Sequence, residues 1–183
     1  DQIIPRPDDM RIGGPPPWAE LSPAERVIDL ATLRDRLAAM GEPVVIDGPV
    51  PVASPRQSAV LAPLYDGADG PAVVLTRRAA HLRNHRGEVS FPGGRADPGE
   101  DALTAAIREA REEVSLDPAL VEPLGELDHL STVTSDSFIV PFVALLPGPP
   151  EDLVANPEEV AAAIAFLASE DAAHPSAGMY GFE

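Results

Sequence analysis

The chain has 183 residues, of which 44% are apolar, so one globular domain with its own core is expected. Its 30 acidic residues outnumber 13 basic ones, all of them arginine, and the net charge of -17 disfavours a nucleic-acid partner unless cations assist. The absence of cysteine excludes disulfides, thiolate metal sites and a cysteine nucleophile. Any metal must therefore be held by oxygen or imidazole ligands, which favours hard cations.

The sequence also bears on location. It contains no run of 18 apolar residues, and its beginning, DQIIPRPDD, lacks the basic and apolar regions of a signal peptide. We therefore expect a cytoplasmic protein without a membrane partner. The sequence leaves the oligomeric state open, a homodimer being one option.

The beginning of the chain is rich in proline and glycine. We interpret residues 1–21 as an extended arm and residues 22–183 as a single domain. Residues 22–25 (SPAE) have the spacing of a capping box with proline at the first helical position. Apolar residues follow at helical intervals, so one or two helices are predicted over 23–40.

Several strands are predicted in the middle of the chain. Apolar segments at 58–64 and 72–76 flank a turn at 66–70 that is rich in aspartate and glycine, which indicates a hairpin. Two further strands are predicted near 121–133 and at 137–146, the second apolar enough to be buried.

Two positions in the second half are harder to assign. Pro141 lies inside a predicted strand, which indicates either an edge strand or a bulge. The alanine-rich run at 158–170 fits a helix by propensity and a strand by its apolar residues, and both alternatives stay open. Strands before and after one central helix indicate a mixed α/β sheet.

The central helix, predicted over 101–114, gathers acidic residues. On a helical wheel the following residues share one side, which we expect to face the core: Leu103, Ala106, Ile107, Ala110 and Val114. Glu109, Glu112 and Glu113 fall together on the opposite side, within reach of one another. Such like-charge pairs destabilise a helix by roughly 0.2–0.5 kcal/mol each, a cost that a bound divalent cation would reverse.

A solvated acidic surface is the alternative interpretation of this helix. Arg108 and Arg111 would then soften the repulsion, and the spacing by itself leaves both interpretations open. The preceding Phe91-Pro92-Gly93-Gly94 favours a ligand site, because glycines permit the close approach of a group such as phosphate.

The glycines and glutamates together form a longer pattern. Gly94 is followed after five residues by Glu100, and after seven more by 108–116, REAREEVSL. This run resembles the Nudix box, GX5EX7REUXEEXGU, where U is aliphatic, so the box would span 94–116. The one departure is Ser115 in place of the last glycine. Serine would have to adopt the left-handed conformation that ends the helix, at some energetic cost.

The resemblance implies an α+β Nudix fold, a mixed β-sheet sandwiched between helices (α/β/α). It also implies hydrolysis of a diphosphate linked to another group, with Mg²⁺ or Mn²⁺ as cofactor. Divalent cations suit that reaction because they neutralise phosphoryl oxygens and activate water. Chains of this family usually continue beyond the last residues seen here into another helix, so a further C-terminal helix is expected.

The resemblance further assigns roles to individual residues. It implies that the metal is held by Glu109, Glu112 and Glu113, with Glu100 as an outer ligand or a supporting polar contact. Arg108 would orient the glutamates, being four residues before Glu112. Glu109 or a downstream carboxylate would serve as the base. The segment Asn156-Pro157-Glu158-Glu159 looks like the loop that supplies such a carboxylate, and we favour Glu159 over Glu158.

The residues upstream of the box narrow the substrate. LTRR at 75–78 and LRNHRGEVSFPGG at 82–94 resemble the coenzyme A diphosphatase branch of the family. The resemblance and the local charge predict that the substrate is bound by Arg77, Arg78, Arg83, His85, Arg86, Gly93 and Gly94. Arginine binds phosphate bidentately, and coenzyme A carries a 3'-phosphate beside its diphosphate. The expected products are 3',5'-ADP and 4'-phosphopantetheine or its acylated form.

Several alternatives stay open. The arginines would contribute nothing to binding if they only paired with surplus surface carboxylates. The substrate could instead be ADP-ribose, a dinucleoside polyphosphate or an oxidised nucleotide. A third alternative is a Nudix domain that senses a nucleotide without cleaving it. We expect Ser90 to be structural, whereas Phe91 could stack on adenine or pack in the core.

Overall fold

The computed structural model describes residues 19–22, 25, 28–46, 56–68, 70–81, 87–132, 137–167 and 179–182. Within them lie two α-helices, α1 Leu30–Ala38 and α2 Ala102–Val114, and a 3-10 helix, Pro118–Leu120. The strands are β1 Val45–Ile46, β2 Arg56–Gly67, β3 Gly70–Arg78, β4 Val89–Ser90, β5 Gly93–Arg95, β6 Glu122–Glu126, β7 His129–Thr132, β8 Ser137–Leu145, β9 Val160–Leu167 and β10 Met179–Phe182. Neither described helix has the length and apolarity needed to cross a bilayer.

All the described strands join one mixed sheet. Its main order is β1-β7-β8-β2-β3-β9-β10, with β4 added to β3, β5 to β2 and β6 to β8. The β1–β7 and β2–β8 pairs are parallel, and the other pairs are antiparallel. The predicted mixed sheet is confirmed.

The predicted hairpin is also confirmed. Strands β2 and β3 pair from Leu64 opposite Val73 to Gly67 opposite Gly70, so the turn is tighter than the predicted 66–70. Both strands extend beyond their predicted limits. The predicted strands are too short because pairing with other strands extends them. The apolar pattern alone gives no information about that pairing.

The segment predicted as one strand near 121–133 is two strands, β6 and β7, both paired with β8. Pro141 lies opposite their junction, where the register shifts by one residue, and its carbonyl accepts the Leu127 N–H at 2.9 Å. Strand β8 also pairs with β2, so the edge-strand alternative for Pro141 is wrong. The break in pairing opposite it explains how proline is tolerated inside the sheet.

The alanine-rich run at 158–170, which fitted either a helix or a strand, contains strand β9. It pairs with β3 on one side and β10 on the other, so its backbone is hydrogen-bonded along both edges. These long-range pairs override the helical propensity of alanine.

The helical region predicted over 23–40 is divided. The Glu25 carboxylate accepts the Ser22 N–H at 2.9 Å and its hydroxyl at 2.6 Å, which forms one half of the predicted capping box. Helix α1 then begins after its own cap, Asp29, whose side chain accepts the Thr32 N–H at 2.7 Å.

The two helices cover opposite faces of the sheet. Helix α2 packs on the face that carries the buried Leu61, Val74 and Phe142. Helix α1 lies over β6, and its Leu30 lines a small cavity with Leu145 of β8. Because side chains alternate along a strand, Leu145 and Phe142 point to opposite faces. The expected arrangement of a sheet sandwiched between helices is confirmed.

Candidate active site

Helix α2 has defined ends. Asp101 caps its first turn, accepting the Thr104 N–H at 3.0 Å. At the other end Ser115 is left-handed, with φ 59° and ψ 26°, as predicted from its replacement of the family glycine. The Ser115 hydroxyl donates to the Val154 carbonyl at 3.2 Å, which offsets part of the strain. Asp101 was missed by the sequence analysis, although Asp followed three residues later by Thr is a capping signal.

The orientation of α2 differs from the prediction. Ala106, Ala110 and Val114 are buried as expected, but Ile107 is only half-buried and lines a surface cleft of about 580 Å³. Glu113 is 4% exposed, so its predicted place on the face away from the core is wrong. A helical wheel sorts positions by polarity and carries no information on contacts with other elements. It therefore could not show that Glu113 contacts a backbone N–H donor and is shielded from solvent.

That donor belongs to the glycine pair. The Gly93 N–H donates to Glu113 Oε2 at 3.1 Å. A Cβ on Gly94 would lie 2.5 Å from Glu109 Cδ, and one on Gly93 would lie 2.3 Å from the Ala59 carbonyl oxygen. Glycine is therefore required at both positions so that β5 can approach β2 and the two glutamates closely.

Arg108 organises the acidic cluster. Its Nε and Nη2 donate to the two oxygens of Glu100, each at 3.0 Å, and Nη2 also donates to the Arg95 carbonyl at 2.9 Å. Its Nη1 donates to Glu109 Oε1 and to Glu112 Oε2, each at 3.0 Å. The bonds with Arg108 lower the pKa of Glu100, and those with Glu100 raise the pKa of Arg108.

Two glutamates of the cluster are held in an environment that disfavours their charge. The pKa of Glu113 is raised to about 7, mainly by burial and to a smaller extent by the nearby Glu109 and Glu159. Burial also raises the pKa of Glu109, although Arg108 opposes that shift. Arg78 acts on Glu113 in the opposite sense but does not restore its ordinary pKa. Burial, more than repulsion between the carboxylates, therefore disfavours the charge of these two groups.

A separate loop brings Glu159 to this cluster. The Asn156 N–H donates to the Glu113 carbonyl at 2.8 Å, which fixes the loop to the last turn of α2. The Asn156 side-chain oxygen accepts the Glu158 N–H at 3.1 Å, and the Asn156 backbone carbonyl accepts the Glu159 N–H at 3.1 Å. Asn156 was named only as part of the loop sequence, yet it shapes the turn. Glu159 contributes to the raised pKa values of both Glu109 and Glu113.

The donor set suits a hard divalent cation, because carboxylate oxygens are the ligands that Mg²⁺ and Mn²⁺ prefer. In the part of the chain that the structure describes, no three acidic or histidine side chains stand close enough to hold one ion as placed. Glu112 is turned toward Arg108 and is half exposed. Glu100 has both oxygens on Arg108. The residues fit the metal by their chemistry, provided that exposed side chains such as Glu112 reorient.

The structure describes some of the residues that were predicted to bind phosphate. Arg77 is exposed on β3, and the neighbouring Arg78 is half-buried. The Arg78 Nε is buried and has no hydrogen-bond partner among the described residues, an arrangement that a phosphate oxygen would satisfy. Three further predicted residues lie outside the described residues: Arg83, His85 and Arg86.

Ser90 has a structural contact, as expected. Its hydroxyl lies 3.1 Å from the hydroxyl of Thr76, which is fully buried. The hydroxyl pair joins β4 to β3 beside the glycine pair, and no described base contacts Ser90.

Comparison with known proteins identifies the family of this chain. The NUDIX domain family matches residues 55–180, so the chain belongs to the Nudix family. Two curated relatives are both named "Uncharacterized Nudix hydrolase NudL". That of Enterobacter sp. (strain 638) is 42% identical over 120 residues, covering 65% of this chain and 61% of the relative. That of Yersinia pestis (strain Pestoides F) is 44% identical over 110 residues, covering 60% and 54%. The chain therefore spans little more than half of each relative's length.

Solved structures give similar matches. A Nudix hydrolase from M. smegmatis, RenU, aligns with a TM-score of 0.47 and 22% identity, covering 55% of this chain and 64% of that one. A C. elegans Ap4A hydrolase binary complex aligns with a TM-score of 0.46 and 24% identity, covering 56% and 74%.

Proposed function

We propose that this protein hydrolyses the diphosphate linkage of a small nucleotide derivative, with Mg²⁺ or Mn²⁺ as cofactor. The observation that carries the proposal is the buried Glu113 beside Glu109, two carboxylates whose pKa values are raised chiefly because burial disfavours their charge. A divalent cation would offset it. When bound, the cation would neutralise charge on the phosphoryl oxygens and lower the pKa of a bound water.

The chain's own residues would divide the remaining work. Glu109, Glu112 and Glu113 would hold the cation, and Arg108 would position the first two through its bonds to their carboxylates. Glu159 would approach from its loop as a further ligand or as the base that accepts the proton of the attacking water. Glu109 is the alternative base, since burial raises its pKa.

Coenzyme A or one of its thioesters is the substrate we propose. The support comes from the sequence pattern around LTRR and FPGG and from Arg78, whose buried Nε lacks a hydrogen-bond partner in the described part of the chain. Coenzyme A offers a 3'-phosphate that ADP-ribose lacks, so an arginine-rich site should favour it. The names of the NudL relatives specify no substrate.

The direct test is hydrolysis of coenzyme A beside ADP-ribose, with Mg²⁺ or Mn²⁺ and with products identified by mass. We expect 3',5'-ADP and 4'-phosphopantetheine from coenzyme A, and little cleavage of ADP-ribose. Cleavage of ADP-ribose alone would contradict the substrate and leave the metal site intact. Turnover of neither compound would favour a binding role.

Matched glutamine variants test the roles proposed for individual glutamates. Glu113→Gln should abolish turnover, because it removes a charge on which cation binding depends. Glu159→Gln should lower kcat by about 100-fold if Glu159 is the base. Glu158→Gln is the control, since Glu158 belongs to the same exposed turn but, unlike Glu159, is not among the main groups that shift the pKa of Glu109 or Glu113. Equal effects at positions 158 and 159 would contradict the assignment.

A further inference from the structure

We propose that Ser115 is a positioning residue, whose hydroxyl fastens the loop that carries Glu159, residues 154–159, to the end of α2. This inference rests on the proposed function, because it adds a residue that acts on the reaction through Glu159. Ser115 occupies the position where the Nudix box has glycine, so the pattern itself assigns no side chain to this task.

The first support is the backbone conformation of Ser115. In the part of the chain that the structure describes, it is the one residue other than glycine with a positive φ. Serine at φ 59° has a steric cost that glycine would avoid, because its Cβ crowds the backbone. Residues held in such conformations are concentrated at functional sites. What glycine could not provide here is the hydroxyl, which donates to the Val154 carbonyl at 3.2 Å.

The second support is the place of this bond in the loop. Val154 is the first loop residue, and its N–H donates to the Val114 carbonyl at 3.1 Å. The Asn156 N–H donates to the Glu113 carbonyl at 2.8 Å. Both carbonyls belong to the last turn of α2, where a helix leaves carbonyls without partners of its own. The Ser115 hydroxyl therefore completes a set of three bonds that join the loop to the end of the helix.

The third support is the short path from these bonds to Glu159. The Asn156 carbonyl accepts the N–H of Glu159 at 3.1 Å and that of Val160 at 2.8 Å. Val160 after the loop and Leu153 before it are both buried in the core. The core therefore anchors the two ends of the loop, and the bonds with α2 fix the residues between them.

The hydroxyl would act on the reaction through the placement of the loop. Glu159 is near enough to Glu109 and Glu113 to affect their charge. A group that accepts a proton or binds a metal works only in the correct geometry, and a displacement of about 1 Å can lower a rate by about 100-fold. Loss of the Ser115 hydroxyl should loosen the loop and leave the bonds of Arg108 in place, because they do not involve it.

The first measurement is amide hydrogen exchange, followed by NMR in the metal-free native protein and in Ser115→Gly. Glycine removes the hydroxyl and the strain together, so the overall stability should stay close to native. The amides of Val154 and Asn156 should exchange about 2- to 10-fold faster, the factor that one net hydrogen bond contributes to an opening equilibrium. The Leu146 amide, which donates to the Leu64 carbonyl at 2.8 Å, should exchange at an unchanged rate.

The second measurement compares the turnover of Ser115→Gly and Ser115→Ala. Both variants lack the hydroxyl, but alanine keeps the strained backbone, so the two differ in stability. In both, kcat should fall by about 2- to 10-fold with KM unchanged, because the hydroxyl affects the reacting geometry and not substrate binding. Ser22→Gly is the control, since it removes a hydroxyl that donates to Glu25 in the segment before α1.

A double variant identifies the group through which Ser115 acts. In a Glu159→Gln background, Ser115→Gly should cause no further fall in kcat, because the carboxylate that the loop positions is already absent. A purely structural role for Ser115 would lower kcat by the same factor in both backgrounds.

Three results would overturn the inference. They are unchanged exchange of the Val154 and Asn156 amides in Ser115→Gly, a kcat that follows stability so that only the alanine variant is impaired, and equal losses with and without the Glu159 carboxylate. Any of them, found beside turnover by the native protein, would refute the positioning role alone. Absence of native turnover would refute the enzymatic activity and the catalytic part of this role, whereas exchange rates would still decide whether Ser115 fastens the loop.

Discussion

Replacing Glu113 by glutamine should change how the stability of the metal-free protein depends on pH. The pKa of Glu113 rises from an ordinary 4.5 to about 7 because the carboxylate is buried near other negative charges. Each pKa unit corresponds to about 1.4 kcal/mol, so ionised Glu113 destabilises the folded state by about 3 kcal/mol. Glutamine keeps an oxygen that can accept the Gly93 N–H and carries no charge at any pH.

The direction in which stability changes with pH follows from proton binding to Glu113. Between pH 4.5 and 7 the folded protein holds a proton on Glu113 that the unfolded chain has lost, so the free energy of unfolding falls as pH rises. Native protein and Glu113→Gln should therefore be similarly stable below pH 4.5. Above pH 7 the glutamine variant should be more stable by about 3 kcal/mol.

Urea unfolding at several pH values in the presence of a chelator measures this difference. Millimolar Mg²⁺ should then stabilise the native protein at pH 8, by about 2.7 kcal/mol when the cation is at 100 times its Kd, and should stabilise Glu113→Gln much less. A difference in stability that does not change between pH 4.5 and 8 would refute the view that Glu113 is buried and short of positive charge.

Two more substitutions test local geometry. Gly94→Ala should push Glu109 aside, lowering stability by about 1–3 kcal/mol and kcat by about 100-fold. Gly148→Ala, whose added Cβ meets no atom of the described residues within 4 Å, should change neither in matched urea and turnover assays. Ser115→Ala should lower the free energy of unfolding by about 1 kcal/mol, because it keeps the left-handed backbone and loses the bond to Val154, whereas Ser115→Gly should stay close to native. Equal stabilities of the alanine and glycine variants at 115 would contradict this account.

Local patterns predicted much of the fold and the site. The hairpin, the cap at Ser22 and the left-handed Ser115 all depend on residues within a few positions of one another. The approach of Arg108 to Glu112 also follows from helical spacing, four residues apart. Such features could be predicted because the chain places near neighbours in contact whatever the rest of the fold does.

Other features depended on strand pairing. Strand β9 could not be told from a helix, because its identity comes from hydrogen bonds to β3 and β10, which are distant in sequence. The break opposite Pro141 likewise depends on where β6 ends and β7 begins along β8. Neither arrangement can be predicted from the local pattern of apolar residues.

The sequence by itself determined which residue types the site contains: a glycine pair, an arginine and a run of glutamates at fixed spacing. Only the tertiary structure decided that Glu113 is buried, because its burial depends on β5 passing close to α2. Tertiary structure also brought Glu159 to the cluster, through a loop fixed by Asn156 to the end of the helix. The physical reason is that a carboxylate's pKa depends on the groups packed around it, and long-range folding supplies those groups.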